Sequence, residues 1–263
     1  MLRVNSRNNP KLKEASRLVA SARDRRKAGK CVLEGEHLVE AYAQRHGAPE
    51  TLVVTEAFLE RPSARRLAER FDARTIVVPA PLFDEIALLP AGVGMLAVVA
   101  TPKPSPNDTG DFCLLLDGVQ DPGNVGSMLR SAAAAGVSHA LLSPHCAFAW
   151  SPKVLRAGMG AHFHLSVHEG IDLPAWSRRY REQRGRVFAT VQDGGDDLHR
   201  AKLARPLAVA IGNEGAGVSP ALLDVATDRL TIAMPGRVES LNAAAATAVV
   251  LFECVRRFAR DAE

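Results

Sequence analysis

The tightest constraint on this chain comes from three loops in its second half, each rich in glycine and polar residues and each set directly behind a strand-like segment. Residues 112–116 read Phe-Cys-Leu-Leu-Leu and open into Asp117-Gly-Val-Gln-Asp-Pro-Gly-Asn-Val-Gly126. Residues 207–211 open into Gly212-Asn-Glu-Gly-Ala-Gly217, and residues 229–233 into Met234-Pro-Gly-Arg-Val-Glu-Ser-Leu-Asn242. A strand that is apolar at every position, rather than at alternate ones, has to be buried on both faces, which calls for a parallel sheet between two layers of helices. Ligands of such sheets bind outside the carboxyl ends of the strands. The three loops are therefore expected at one edge, with glycines letting backbone approach a ligand and polar side chains giving direction.

The rest of the second half alternates accordingly. We expect helices over residues 125–135 (closed by Gly136 as a C-terminal cap), 153–159, 175–184 and 243–260, and strands over 139–143, 162–167 and 186–190. The first half alternates too, with helices expected over 10–28, 36–45 and 64–70 and strands over 51–55, 75–78 and 95–100. Residues 101–110 hold prolines at 102, 104 and 106 and no large apolar side chain, the composition of an extended spacer. The expected organisation is a small α/β domain over 1–100, a linker over 101–110 and a larger α/β domain over 111–263 with helices on both faces of a mostly parallel sheet.

Charge is unevenly placed. Residues 1–30 carry ten Lys or Arg and two Asp or Glu, a surplus of eight in a chain whose total is +4, so the remainder sums to −4. A basic end on a near-neutral body points to a polyanion, with a merely solvated terminus as the alternative. The four cysteines, Cys31, Cys113, Cys146 and Cys254, form no CxxC pair and match no zinc or haem spacing, so reduced thiols and a cytoplasmic protein are expected. No apolar segment follows the basic N-terminus as in a signal peptide, and none is long enough to span a bilayer. His162, His164 and His168 alternate with apolar residues and are expected on one exposed strand face, with no metal. Trp150 in an expected surface loop can stack on bases, whereas Trp176 reads as packing.

Each loop alone is weakly informative. No GxxxxGK[ST] run occurs and no GxGxxG follows a strand, which argues against a phosphate-cradling NTPase and against an ordinary dinucleotide site. Together the loops are specific. Asp117 to Arg130 resembles the DxVQDPGNVGxxxR motif, Gly212 to Gly217 the GxEGxG motif, and Ile232 to Asn242 the IPMxGxxxSLN motif of the SpoU (TrmH-like) branch of the SPOUT methyltransferases. Residues 151–160 resemble that family's NPKxxRASMGA segment. The first hundred residues resemble, more loosely, the substrate-binding domain found ahead of many members.

The resemblance implies a C-terminal domain with a trefoil knot, S-adenosylmethionine as methyl donor, a homodimer, and transfer to a ribose 2′-hydroxyl of structured RNA, ribosomal RNA being favoured over transfer RNA. It implies that Gly212, Asn213, Ile232, Met234 and Leu241 lie against the cofactor and that Asn124, Arg130, Glu214, Ser240 and Asn242 form the catalytic pocket. Four positions depart from the family's pattern: Ala233 for proline, Ala243-Ala244 for Val-Ser, Phe148 for aspartate and Gly158 for serine. Glu214 can instead cap its own turn, and Ser240 can be the N-cap of the closing helix. RNA phosphates are expected at Arg3, Arg7, Lys11, Lys13, Arg17 and the cluster 23–27, with Arg178, Arg179 and Arg181 as a possible addition. The competing readings are a non-catalytic RNA-binding or assembly protein of the same fold, an enzyme with another nucleotide cofactor, and transfer to a base nitrogen.

Overall fold

The computed structural model describes residues 1–87, 94–104, 110–238 and 240–261. Residues 105–109 of the expected linker and Glu239 of the third loop lie outside the described residues. The elements begin β1 (Leu2–Arg3), α1 (Pro10–Ala20), α2 (Ala22–Ala28), β2 (Lys30–Glu34), α3 (Glu36–His46), β3 (Thr51–Thr55), α4 (Pro62–Arg70), β4 (Thr75–Val78), α5 (Ala80–Asp84) and β5 (Met95–Ala100). They continue with β6 (Phe112–Asp117), α6 (Pro122–Ala134), β7 (His139–Leu142), α7 (Pro152–Gly158), β8 (Ser166–His168), α8 (Leu173–Glu182) and β9 (Arg186–Thr190). The chain closes with β10 (Asp196–Asp197), β11 (Leu207–Gly212), α9 (Pro220–Leu223), β12 (Asp228–Thr231) and α10 (Ala243–Asp261).

Two compact units result. The first is made of Met1–Pro102 together with Trp150–Phe163, the second of Lys103–Ala149 and His164–Glu263. In the first, the described strands form one sheet in the order β1-β4-β3-β5-β2. β1, β4 and β3 run parallel, while β5 is antiparallel to both β3 and β2. Leu12, Leu18 and Val19 of α1 pack on Val32, Val53, Ile76 and Val98 of the sheet. Helix α7, which follows β7 in sequence by ten residues, lies against β2, the edge strand of this sheet.

The expected single helix over 10–28 divides at Ser21, whose backbone is extended (φ −124°, ψ 114°) and whose hydroxyl accepts from the N–H of Asp24 at 3.1 Å. A serine three residues ahead of an acid starts a new helix more readily than it continues an old one. The division turns Arg25 inward. It is 5% exposed and its Nη1 donates to the carbonyls of Leu18 (2.5 Å) and Val19 (2.9 Å), closing the end of α1. Arg25 therefore leaves the expected phosphate-binding cluster. Its neighbours Arg7, Lys11, Lys13, Arg17, Arg23, Arg26 and Lys27 remain exposed, while Arg3 pairs with Glu56.

The expected strand over 162–167 is instead a 3-10 turn, Ala161–His164, followed by the short β8. The histidines therefore share no face: His162 is buried, His164 exposed and His168 half-buried. Packing overrides the alternation here, because Phe163 sits edge-on to Tyr42 of α3 with ring centroids 5.5 Å apart. Trp150 is buried against His162 rather than displayed for stacking. Trp176 packs as expected, stacked on Tyr180.

In the second unit the described strands form one sheet in the order β10-β12-β9-β11-β6-β7-β8, every pairing parallel. β6 and β11 are buried along almost their whole length, each aliphatic side chain contributing about 1.5–3 kcal/mol on full burial. β10 and α9 carry no strong period and were not expected from the sequence. On α10, Glu253 is 8% exposed and accepts from Arg256 and Arg257 at 2.7–2.9 Å, with His199 Nδ1 at 3.7 Å. The hydrogen bond from Arg256, reinforced by Arg257 against the opposing effect of burial, brings its carboxyl down to about 2 from 4.5. A carboxyl depressed by folding stabilises above its unfolded pKa, and that stability is lost as pH falls through the folded one. Glu253→Gln is expected to melt below wild type at pH 7, the gap closing as pH falls from 4.5 toward 2. A gap independent of pH would remove the ion pair as its cause.

Candidate active site

The parallel register places Gly212 of β11 beside Asp117 of β6, so the first two loops leave the sheet side by side. β12 runs parallel to β9, and β9 to β11, so the third loop leaves at the same edge. The exposed arginines of α8, Arg178, Arg179 and Arg181, lie toward the helix end that leads into the start of β9. That is the opposite edge, and Arg181 there donates to the carbonyl of Val225 at 2.9 Å.

The second loop is folded by its own residues. Asn213 and Gly217 form an isolated antiparallel bridge, exchanging backbone hydrogen bonds of 2.9 Å. Asn213 Oδ1 accepts from the N–H groups of Gly215 (2.9 Å) and Ala216 (3.0 Å), so Asn213, not Glu214, caps this turn. Its Nδ2 donates to the carbonyl of Gly118 at 2.9 Å and ties the second loop to the first. Gly212 is where only glycine fits: a Cβ there would stand 1.9 Å from the carbonyl carbon of Gly217 and 2.0 Å from the nitrogen of Val218.

One chain of side chains runs through all three loops. Asn242 Nδ2 donates to Asn124 Oδ1 (3.0 Å), and Asn124 Nδ2 donates to Glu214 Oε1 (3.0 Å). Asp121, the N-cap of α6, holds Asn124 in place by accepting from its N–H at 2.7 Å. Asn242 Oδ1 accepts from Ala244 (2.9 Å) and Ala245 (3.3 Å), making Asn242 the cap of α10. Ser240 stands too far ahead of Ala243 for that role. Partial burial opposes charge on Glu214. Hydrogen bonds from Asn124 and from the backbone at Glu214, Asp121 and Gln120 outweigh it and hold the carboxyl below the ordinary range. Glu214 is thus an anion at neutral pH.

Beside this chain lies a cavity of about 380 Å³. Backbone of 212–217 forms one wall, and Ile232, Met234, Ser240, Leu241 and Asn242 form another. All five residues expected at the cofactor line it, as do Glu214, Ser240 and Asn242. Thr190, Val191 and Gln192, at the end of β9, line it too and were not expected. The same edge rule that selected the three loops applies to them, and the turn they open carries Gly194 and Gly195, so this fourth loop was open to the same reading. Ile232 and Met234 line the cavity, and among the described residues their backbone groups have no hydrogen-bond partner. Among the described residues no lysine or arginine lines the cavity. That donor set suits a neutral purine with an uncharged ribose and a short polar chain, and it lacks the cations a dinucleotide's phosphates require.

Arg130 is not gathered into the site. It lies six residues past Asn124 on α6, about 9 Å along the axis. It is exposed and hydrogen-bonds to no described residue. Among the described residues no cluster of three or more potential ligands could hold a metal ion, and no helix is long and apolar enough to cross a membrane.

Comparison with known proteins agrees with this geometry. The model of the SpoU rRNA methylase family matches residues 111–252, and that of the MRM3-like substrate binding domain matches residues 9–97. The 23S rRNA (guanosine(2553)-2′-O)-methyltransferase RlmP of Bacillus subtilis is 30% identical over 254 residues, covering 96% of this chain and 98% of that protein. The SpoU methyltransferase AviRb from Streptomyces viridochromogenes, solved in complex with AdoMet, superposes with a TM-score of 0.84 at 26% identity, covering 96% of this chain and 99% of the other. An AdoMet-bound rRNA methyltransferase from Sinorhizobium meliloti superposes with a TM-score of 0.81 at 28% identity, covering 97% of each. With loops, cavity and full-length relatives in agreement, the chain belongs to the SpoU rRNA methylase family.

Proposed function

We propose that this protein is an S-adenosylmethionine-dependent methyltransferase acting on a ribose 2′-hydroxyl of structured RNA, ribosomal RNA rather than transfer RNA. The observation that carries the reading is the Asn242–Asn124–Glu214 chain beside a cavity built from backbone and apolar side chains. Relatives named for ribosomal RNA support the choice of substrate.

When bound, S-adenosylmethionine supplies a strongly electrophilic sulfonium methyl group. The residues of this chain do the rest. Gly212, Asn213, Ile232, Met234 and Leu241 hold the donor, and the Glu214 carboxylate sets a negative charge at the cavity wall, complementary to a sulfonium cation. The two asparagines fix the loops against one another so that the ribose oxygen is held in line and water is excluded. Ser240 completes the pocket wall. Arg130 grips the phosphate beside the target ribose. A guanidinium holds its proton too firmly to act as a base, and its fork matches a phosphate bidentately. The hydroxyl proton then passes to a phosphate oxygen or a water molecule.

We also propose a knotted C-terminal domain, a homodimer and work in the cytoplasm, where the four free cysteines stay reduced. The surface for the second copy is the outer face of α10, where Val249 (40% exposed) and Phe252 (48% exposed) stand one turn apart. Phe252→Asp is expected to sediment as a monomer, and a dimer in that variant would move the interface elsewhere. The exposed cations of α1 and α2 in the N-terminal substrate domain hold RNA phosphates, so affinity should fall steeply with salt.

The test of the reaction is calorimetric titration with S-adenosylhomocysteine, beside a Leu241→Arg variant, followed by transfer of a labelled methyl group to unmodified 23S rRNA transcript. Binding that the variant loses, together with label on ribose, is the expected result. No binding by the wild type would leave a non-catalytic RNA-binding protein.

A further inference from the structure

Helix α7 and the turn after it form the one family-like segment, residues 151–160, that the reaction above does not use. Pro152, Val154, Leu155 and Gly158 are buried, whereas Lys153, Arg156 and Met159 are exposed. Lys153 and Arg156 are three apart and share one helix face, with Cβ atoms about 5–6 Å from each other. Met159 follows at the same interval. No acidic residue occurs in α7.

Met159 is displayed at a cost to the backbone. It caps α7 in the left-handed region (φ 47°, ψ 42°), where a glycine is at ease and a methionine is not. The residue is 43% exposed, so packing does not compensate. The conformation is held from outside, since His37 Nε2 donates to the Met159 carbonyl at 3.2 Å. Gly160 follows with φ 84°, its Cα so close to α3 that a Cβ would stand 3.1 Å from that of Ala41. Strain kept in a solvent-facing residue of an otherwise well-packed turn marks a place where the side chain does something outside the fold.

We infer that Lys153, Arg156 and Met159 form a contact ridge for the substrate RNA, with the two cations on neighbouring phosphates and the thioether chain against the face of an unstacked base. The inference rests on the RNA substrate proposed above. It extends that reading to residues in the unit that matches a substrate-binding domain, from a stretch of sequence lying inside the methylase match. The surplus of positive charge and the flexible apolar tip complement a nucleotide better than an acidic protein surface, which offers no flat apolar face.

The experiment is filter binding of unmodified 23S rRNA transcript across a salt series, with methyl-transfer kinetics on the same transcript and thermal melting of each protein. Lys153→Ala/Arg156→Ala is expected to reduce the slope of log K against log salt by about 1.4–1.8, two phosphate contacts' worth. Met159→Gly is expected to melt no lower than wild type, because glycine relieves the backbone, yet to raise KM for RNA with kcat and the salt slope unchanged. A double variant with wild-type slope, or a glycine variant with wild-type KM, overturns the ridge. So does a double variant that keeps RNA binding while losing affinity for polyglutamate, which would make the surface a dock for an acidic protein. Wild-type protein that binds the transcript but transfers no methyl group overturns the reaction and leaves the ridge standing. Failure to bind the transcript at all overturns both.

Discussion

Gly212→Ala is expected to take S-adenosylhomocysteine binding below detection in calorimetry and, with it, all methyl transfer. The added carbon has nowhere to go. Both nearest atoms belong to backbone, the carbonyl carbon of Gly217 at 1.9 Å and the nitrogen of Val218 at 2.0 Å, and neither can rotate away like a side chain. The loop can accept it only by breaking the Asn213–Gly217 bridge, which would also release the bond from Asn213 Nδ2 to Gly118. The wall proposed to hold the donor and the tie between first and second loops therefore fail together. Since β11 ends at this residue, a stability loss of about 1–3 kcal/mol is also expected from forcing extra volume into a packed site. A Gly212→Ala protein that binds S-adenosylhomocysteine as wild type does would show that the donor sits elsewhere.

Arg130→Ala gives the second large effect, of opposite kind. It should lower kcat by about 10²–10³, the usual scale for losing one charged group aimed at the reacting centre, while S-adenosylhomocysteine binds with unchanged affinity. The separation follows from placement, because Arg130 does not line the cavity and hydrogen-bonds to no described residue. Its removal costs the resting protein nothing, and melting should be unaltered. Asn124→Ala makes the useful contrast. It removes the link between Asn242 and Glu214, so it should loosen donor binding as well as turnover. Near-wild-type turnover in Arg130→Ala would discard both the phosphate grip and any role as a base.

The two variants also mark how far the residues alone could be read. Strands β3, β4, β5 and β9 have the bounds expected from their apolar runs, because a fully buried strand announces itself by composition. The gathering of three loops at one edge follows from parallel pairing, which the unbroken runs require. Side-chain roles within the loops were less legible. Asn213 and Asn242 cap turns that Glu214 and Ser240 were candidates to cap, since which of two adjacent polar groups reaches a free N–H depends on a residue or two of helix start. Arg25 and Trp150 were misplaced for a related reason. Each is amphipathic enough for surface or interior, and tertiary neighbours decide. The stretch 161–164 failed most completely, because alternation of apolar and polar residues describes a 3-10 turn pinned by Phe163 as well as it describes a strand.

The first unit is assembled from two stretches of chain that are 47 residues apart, Met1–Pro102 and Trp150–Phe163. A protease site inserted within 103–110 should therefore cut the polypeptide without setting the N-terminal piece free, because the other piece still carries α7 and its place against β2. The same arrangement restricts how such proteins can be recombined. A new substrate-binding module cannot simply be spliced ahead of residue 103, since the donor would also have to furnish a compatible partner for the helix that the methyltransferase half keeps. Exchange of targets between relatives is then expected by drift of exposed residues on a shared scaffold rather than by shuffling of whole modules.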